Sequence, residues 1–231
     1  MIGDNDGNII CLNLQNFEVI STITGQFDKA IKILYVYKNE KLIVVDLQDN
    51  MIIIDLTKKF EVLKRIDGFL PHRIKHIVPW EENIIFIADE SGHLKSFDLG
   101  SLDTYEDYGK YMTEYIIKIG IIDGKPFITD ENGTLSILNW VKYELHHDFG
   151  QYIKGRVENM YNLDGLILLA TDIGYVKLFD IITYKTYDDL GKYMKDIIKS
   201  VIPFQKNKVF FIDFSGEIKI YNQQTKETIL Y

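Results

Sequence analysis

Residues 87–99 read IADESGHLKSFDL, and nearly the same sentence returns as FITDENGTLSILNW at 127–140, LATDIGYVKLFDI at 169–181 and FIDFSGEIKIYN at 211–222. The shared pattern is Asp-x-x-Gly, then alternating apolar positions, then an aromatic or aliphatic residue followed by Asp or Asn. Searching outward for the same phrase places its glycine at Gly7, Gly92, Gly133, Gly174 and Gly216, with Asp49 in the remaining slot, so that consecutive copies lie 41 to 43 residues apart. A spacing this steady through six copies marks a true internal repeat.

The repeated phrase has a physical reading. Asp at the head of a type I turn accepts hydrogen bonds from the backbone ahead of it, and Gly in the fourth place takes positive φ at little cost. The pair closes a β-hairpin. Asp4, Asp46, Asp89, Asp130 and Asp213 hold the first place, and Thr171 departs, with Asp172 beside it. Asp49 is tolerable in the glycine slot because Asp visits the left-handed region more readily than most residues. After the turn, Ile9, Met51, Leu94, Leu135, Val176 and Ile218 share one strand face, joined two residues later by Cys11, Ile53, Ser96, Ile137, Leu178 and Ile220. The opposite face is apolar too, at Leu12, Ile54, Phe97, Leu138, Phe179 and Tyr221, which implies sheets covered on both sides.

The middle copy supplies three further strands: YIIKIGI (115–121), KPFITD (125–130) and the more polar YELHHDF (143–149). No stretch sustains a helical period. Four strands per repeat are the blade of a β-propeller. The expected fold is therefore all-β, a single domain over 1–231 of about six four-stranded blades. Five blades are complete, beginning near Ala30, Ile74, Tyr115, Arg156 and Ile197. The first has only MIG, NIICLNL and FEVISTI, and the closing ETILY adds no strand to it. The expectation is a thin first blade or a fragment of a larger propeller, with an open edge that invites strand addition from a partner.

Composition bounds the function. Of 231 residues, 46% are hydrophobic and 13% aromatic, which describes a globular chain. A formal net charge of −8 with scattered basic residues argues against nucleic acid as a partner. No apolar run is long enough to span a bilayer, and MIGDNDGN lacks the features of a secretion signal. The single cysteine, Cys11, suits a reducing, cytoplasmic setting.

The repeats resemble the WD-repeat β-propeller family. TITGQFDKAIKILYVYKNEKLIVVDLQDNMIIIDL (22–56) is similar along its length to one repeat of that family. The family's Gly-His pair becomes Gly25-Gln26, Pro71-His72, Gly109-Lys110, Gly150-Gln151 and Gly191-Lys192. Its Trp-Asp pair becomes Leu12-Asn13, Ile54-Asp55, Phe97-Asp98, Leu138-Asn139, Phe179-Asp180 and Tyr221-Asn222. With these residues the family's side-chain tetrad cannot form in its usual way, and stability must rest more on aliphatic packing. A quinoprotein-type propeller, the nearest competitor, follows its third strand with Gly and then Trp, features that QNFEVISTI, TKKFEVLKRI and ITYKTYDDL lack. The resemblance implies a non-enzymatic scaffold that binds partner proteins or peptides through its loop faces. The alternative is a small-ligand binder or enzyme at the central channel, in the manner of quinoproteins or lactonases, for which the first strands offer Lys32, His76, Lys118, Glu158 and Lys199 without an evident ligand set.

Other suspicious residues have bland readings. Cys11 stands in a slot otherwise filled by Ile, Leu or Ser. His72 and His76 on a strand lie too far apart for one metal, and the adjacent His146 and His147 point to opposite faces. DNDG (4–7) lacks the further ligands of a calcium loop. No metal or other cofactor is therefore expected. One feature exceeds what folding requires: DYGKYMT (107–113), DFGQYIK (148–154) and DLGKYMK (189–195) repeat a Gly-Lys/Gln-Tyr element between blades. These connections should share a side with the Asp-x-x-Gly turns. Lys110, Tyr111, Gln151, Tyr152, Lys192 and Tyr193 are the candidate partner-binding residues, with packing between blades as the competing role for the tyrosines.

Overall fold

The computed structural model describes residues 1–112, 114–139, 144–204 and 207–230, and of residues 139 and 144–148 the backbone only. All regular elements among them are strands. The chain packs as two compact units, Met1–Tyr111 and Met112–Tyr231. The first holds three sheets: β1 (Ile2–Gly3), β2 (Ile9–Leu12) and β3 (Val19–Ile23); β4 (Ile31–Tyr37), β5 (Lys41–Asp46), β6 (Met51–Asp55) and β7 (Glu61–Ile66); β8 (Ile74–Glu81), β9 (Ile84–Asp89), β10 (His93–Asp98) and β11 (Asp103–Lys110). The second holds three more: β12 (Ile116–Ile122), β13 (Lys125–Asp130), β14 (Thr134–Asn139) and β15 (Glu144–Gln151); β16 (Val157–Leu163), β17 (Leu166–Thr171), β18 (Tyr175–Asp180) and β19 (Lys185–Lys192); β20 (Ile198–Phe204), β21 (Lys208–Asp213), β22 (Ile218–Asn222) and β23 (Glu227–Leu230). Every sheet is an antiparallel meander in chain order, the first with three strands and the rest with four.

The turns between the second and third strands form as the repeat dictates. The fourth residue donates its N–H to the carbonyl of the first, as from Gly133 to Asp130 at 3.1 Å, Gly216 to Asp213 at 3.1 Å and Asp49 to Asp46 at 3.2 Å. That residue has positive φ in every copy, Asp49 included at 65°. The leading carboxylate collects the turn's amides: Asp130 Oδ1 accepts from Asn132 and Thr134 at 3.0 and 2.9 Å, and Asp89 Oδ1 from Ser91 and His93 at 2.9 and 3.0 Å. Thr171 does the same through Oγ1, which accepts the Tyr175 N–H at 3.1 Å. Asp46, Asp89, Asp130 and Asp213 are buried, and a buried carboxylate is tolerable only when its lone pairs are filled this way.

Their second oxygens hold the incoming chain. Asp89 Oδ2 accepts the backbone N–H of His72 at 3.2 Å, and Asp213 Oδ2 that of Asp196 at 3.2 Å. In the fifth sheet, Asp172 Oδ1 takes the Arg156 N–H at 2.9 Å. Backbone amides of the incoming chain thus supply these contacts.

Packing follows the two-faced apolar pattern. The strands β5, β9, β13 and β17 are buried almost end to end; β5 and β17 are so because both faces meet a neighbouring sheet of their own unit. Between the second and third sheets, Ile43, Val45, Met51 and Ile53 meet Ile74, Ile85, Ile87 and Phe97. Between the fourth and fifth, Phe127, Leu135 and Ile137 meet Ile167, Leu169 and Phe179. Between the fifth and sixth, Leu168, Val176 and Leu178 meet Val201, Phe211 and Tyr221. The thin first sheet is pinned differently. A side chain at Gly3 would stand 2.5 Å from Ile31 Cβ, so its bare backbone lets β1 close on β4.

Candidate functional site: the groove between the fourth and fifth sheets

Each connection from a fourth strand to the next first strand crosses the preceding turn. The Tyr152 N–H donates to the Gly133 carbonyl at 3.0 Å, and the Tyr193 N–H to that of Gly174 at 2.9 Å; in the first unit, Tyr111 and Gly92 make the same bond at 2.9 Å. The fit leaves no room, since a Cβ at Gly133 would stand 2.1 Å from the Ile153 carbonyl oxygen. Within each unit the Gly-Lys/Gln-Tyr elements and the Asp-x-x-Gly turns therefore share one side, here termed the turn side.

On that side of the second unit lies a cavity of about 520 Å³ lined by Gln151, Tyr152, Ile153, Lys154, Tyr175, Lys177, Asp189 and Gly191. Tyr152 anchors it. Its ring stands edge-on to Phe179 and Phe149, with centroids 5.6 and 6.0 Å away, and its hydroxyl lies 2.8 Å from Thr186 Oγ1. Burial pushes the Tyr152 phenol above its ordinary pKa. Lys177 Nζ sits 4.4 Å from the Tyr152 ring centroid, donates to the Tyr152 carbonyl at 2.8 Å and pairs with Asp189 at 3.2 Å. Lys154 Nζ lies 5.5 Å from the Tyr175 ring centroid. Lys192, opposite Tyr175 across β18 and β19, is exposed. Neither Lys154 nor Lys192 has an ion-pair partner among the described residues. Among the described residues the lining thus carries two ammonium groups, of Lys154 and Lys177, against the Asp189 carboxylate, beside two tyrosine faces.

The corresponding place between the fifth and sixth sheets is built on the same plan with different side chains. Tyr193 packs edge-on to Phe211 and Tyr221, at 5.0 and 6.4 Å, and its hydroxyl lies 3.0 Å from Thr228 Oγ1. Lys219 covers its ring at 5.0 Å and donates to its carbonyl. Glu217 occupies the slot that Tyr175 fills in the fifth sheet, directly after the turn glycine. Its Oε1 meets Lys195 Nζ at 3.1 Å and its Oε2 meets Lys219 Nζ at 3.6 Å. There both lysines are neutralised internally.

No family model and no curated protein matches the sequence. The structure, however, is similar to that of the computationally designed Ika8 protein, with a TM-score of 0.80 at 19% identity over 98% of this chain and 69% of that one. It is also similar to the C-terminal WD40 domain of Sif2, with a TM-score of 0.74 at 12% identity over 98% of this chain and 65% of that one. The fold is a β-propeller. This chain thus spans about two thirds of the length of either protein.

The remaining sequence candidates fall as follows. Lys110 is exposed at the end of β11 in the first unit, with Tyr111 half-buried behind it. In the second unit, Gln151 and Tyr152 line the groove and Lys192 lies across from its Tyr175 in register, whereas Tyr193 belongs to the next groove and is buried. Cys11 is buried, which raises its thiol pKa. The His72 ring stacks on His93 at 6.1 Å. The His146 and His147 side chains lie outside the described residues. Among the described residues no group of three or more His, Cys, Asp or Glu side chains could hold a metal ion, and no helix is long and apolar enough to cross a membrane. Lys154, Tyr175, Lys177 and Asp189 escaped the sequence reading. Their signal was the exchange of Tyr for Glu at one repeat slot, visible only when the fifth and sixth copies are aligned.

Proposed function

We propose that this protein is a non-catalytic, cytoplasmic interaction scaffold that holds partner proteins or peptides on the turn side of its propeller. The observation that carries this reading is the groove at Gln151 and Tyr152. Its tyrosine is fixed by packing, while Lys154, in the lining of a cavity of about 520 Å³, and Lys192, across from Tyr175, have no ion-pair partner among the described residues. Rigid aromatic walls with unspent polar groups are what interface anchors require. Folding needs the tyrosine rings, whereas the exposed Lys110, Gln151 and Lys192 side chains make no packing contribution of that kind. A WD40 neighbour in structure supports a scaffold in general terms.

The test separates surface from core. A variant carrying Lys110→Glu, Gln151→Glu and Lys192→Glu should melt as the wild type does, because all three side chains are exposed. Affinity capture from native extract with peptide identification should then recover from the wild type a partner that the variant loses. Equal recovery by both proteins would overturn the reading.

A further inference from the structure

The molecule contains its own picture of what the open groove should hold. Lys154 and Lys195 each stand four residues after the glycine of a Gly-Lys/Gln-Tyr element, and Lys177 and Lys219 each stand three residues after a turn glycine. In the sixth sheet this lysine pair is bridged by the two oxygens of one carboxylate, that of Glu217, at 3.1 and 3.6 Å. In the fifth sheet the bridging residue is replaced by Tyr175. Lys154 is left over the Tyr175 ring with no carboxylate partner among the described residues, and Lys177, placed over its tyrosine as Lys219 is, pairs with Asp189 instead.

We infer that the groove between the fourth and fifth sheets receives a glutamate or aspartate side chain from an acidic partner segment, held by Lys154 and Lys192 beside Tyr175. This rests on the scaffold reading above and names the partner's chemistry. A carboxylate is favoured because Lys195, the counterpart of Lys154, already holds one in a geometry the same repeat has built, and Lys192 stands across from Tyr175 on the neighbouring strand. A chain of net charge −8 gains nothing in solubility from a cationic groove, so the local excess of lysine is out of keeping with the whole. The aromatic wall adds contact area for the methylene stem of the incoming residue, and the cavity of about 520 Å³ accommodates it.

The probe is a blocked hexaglutamate peptide, with blocked hexaglutamine as the uncharged control, followed by NMR on the Tyr152 and Tyr175 ring signals of the intact chain. Hexaglutamate should give saturable shifts at both rings, and hexaglutamine none. Lys154→Gln should weaken binding about fivefold, the value of one modest ion pair. Tyr175→Glu should abolish it by installing the internal carboxylate, and this variant should fold because Glu217 already occupies that slot in the sixth sheet. Lys195→Gln should change nothing. Equal binding of hexaglutamine, survival of binding in Tyr175→Glu, or no binding of hexaglutamate would each overturn the inference. Tighter binding of a phosphoserine peptide than of hexaglutamate would overturn the carboxylate assignment. If extract capture still depends on Lys192 while hexaglutamate fails, the scaffold reading stands and only the acidic partner falls.

Discussion

The two grooves of the second unit share a backbone plan and differ in what they do with their charge. Between the fifth and sixth sheets, Tyr193 is 8% exposed and Glu217 closes the lysine pair, so the site is complete in itself. Between the fourth and fifth, Tyr152 is half-buried, Tyr175 replaces the acid and two lysines remain unspent. Of the positions at which the two grooves differ, the exchange of Tyr175 for Glu217 is the one that decides whether the lysine is neutralised. The lesson is that in a degenerate repeat the informative residues are those that break the local pattern.

The largest effects should fall on what the grooves share. Gly133 has φ near 76° and faces the Ile153 and Gly155 carbonyls at 2.1 and 2.6 Å from a hypothetical Cβ; Gly174 faces those of Met194 and Asp196 at 2.5 and 3.0 Å. Gly133→Ala and Gly174→Ala should each lose roughly 3 kcal/mol or more, since backbone must move as well as φ be strained. Gly216 has φ near 85° with open space around it, so Gly216→Ala should cost about 1–2 kcal/mol, the left-handed penalty alone. Urea unfolding of the three variants measures the difference, and equal losses would refute the steric account.

Next comes the anchor of each groove. Tyr193→Ala removes a buried ring from Phe211 and should cost about 3–4 kcal/mol. Tyr152→Ala, at a half-buried site, should cost about 2 kcal/mol by the same measure. A larger loss at Tyr152 than at Tyr193 would reverse the assignment of seam and site.

Much of this architecture was legible beforehand. The turn glycines, the capping aspartates and the three-strand first sheet all follow from local chemistry repeated at fixed spacing. Legibility stopped where contacts cross between sheets. Lys154 and Tyr175 meet only because the fourth-to-fifth connection folds over the fifth sheet's turn, and no periodicity within one copy announces that. His72 shows a second limit. Its backbone N–H, not its ring, reaches Asp89, a bond that residue identity does not reveal.

The acid that distinguishes the grooves has a pH signature. Burial alone would raise the Glu217 carboxyl, but hydrogen bonds from the Lys195 side chain and backbone, with the charges of Lys219 and Lys195, hold it below its ordinary value. A depressed folded pKa stabilises above the unfolded value, about 4.3, and that contribution is lost as pH falls through the folded one. Glu217→Gln should therefore cost below about 1 kcal/mol at neutral pH, with the gap to wild type closing in acid. Taking wild type minus variant removes the parallel titration of Asp213, whose carboxyl is also depressed. The same substitution should open a second hexaglutamate site beside Lys195 and Lys219. A gap that persists unchanged at low pH would show that Glu217 acts through packing and not through its charge.

The smallest effect concerns another break in the pattern. Directly after the third strand, the second, third and fifth sheets carry Leu56, Leu99 and Ile181, whereas the sixth carries Gln223. Gln223 is 8% exposed, and its Oε1 is buried with no hydrogen-bond partner. An unsatisfied buried acceptor costs about 1–3 kcal/mol, and an apolar replacement of similar shape escapes that cost. Gln223→Leu should thus stabilise the chain by about 1 kcal/mol, with the midpoint in urea shifted upward and the slope unchanged. Ile181→Gln, the reverse change in the fifth sheet, should destabilise by more, because Ile181 packs into the core shared with Phe127 and Phe179. If Gln223→Leu left the midpoint where it was, solvent in the adjoining cavity of about 480 Å³ would be satisfying the amide. The two breaks in the repeat would then differ in kind: a glutamine wetted at no cost, against a tyrosine that leaves lysines exposed.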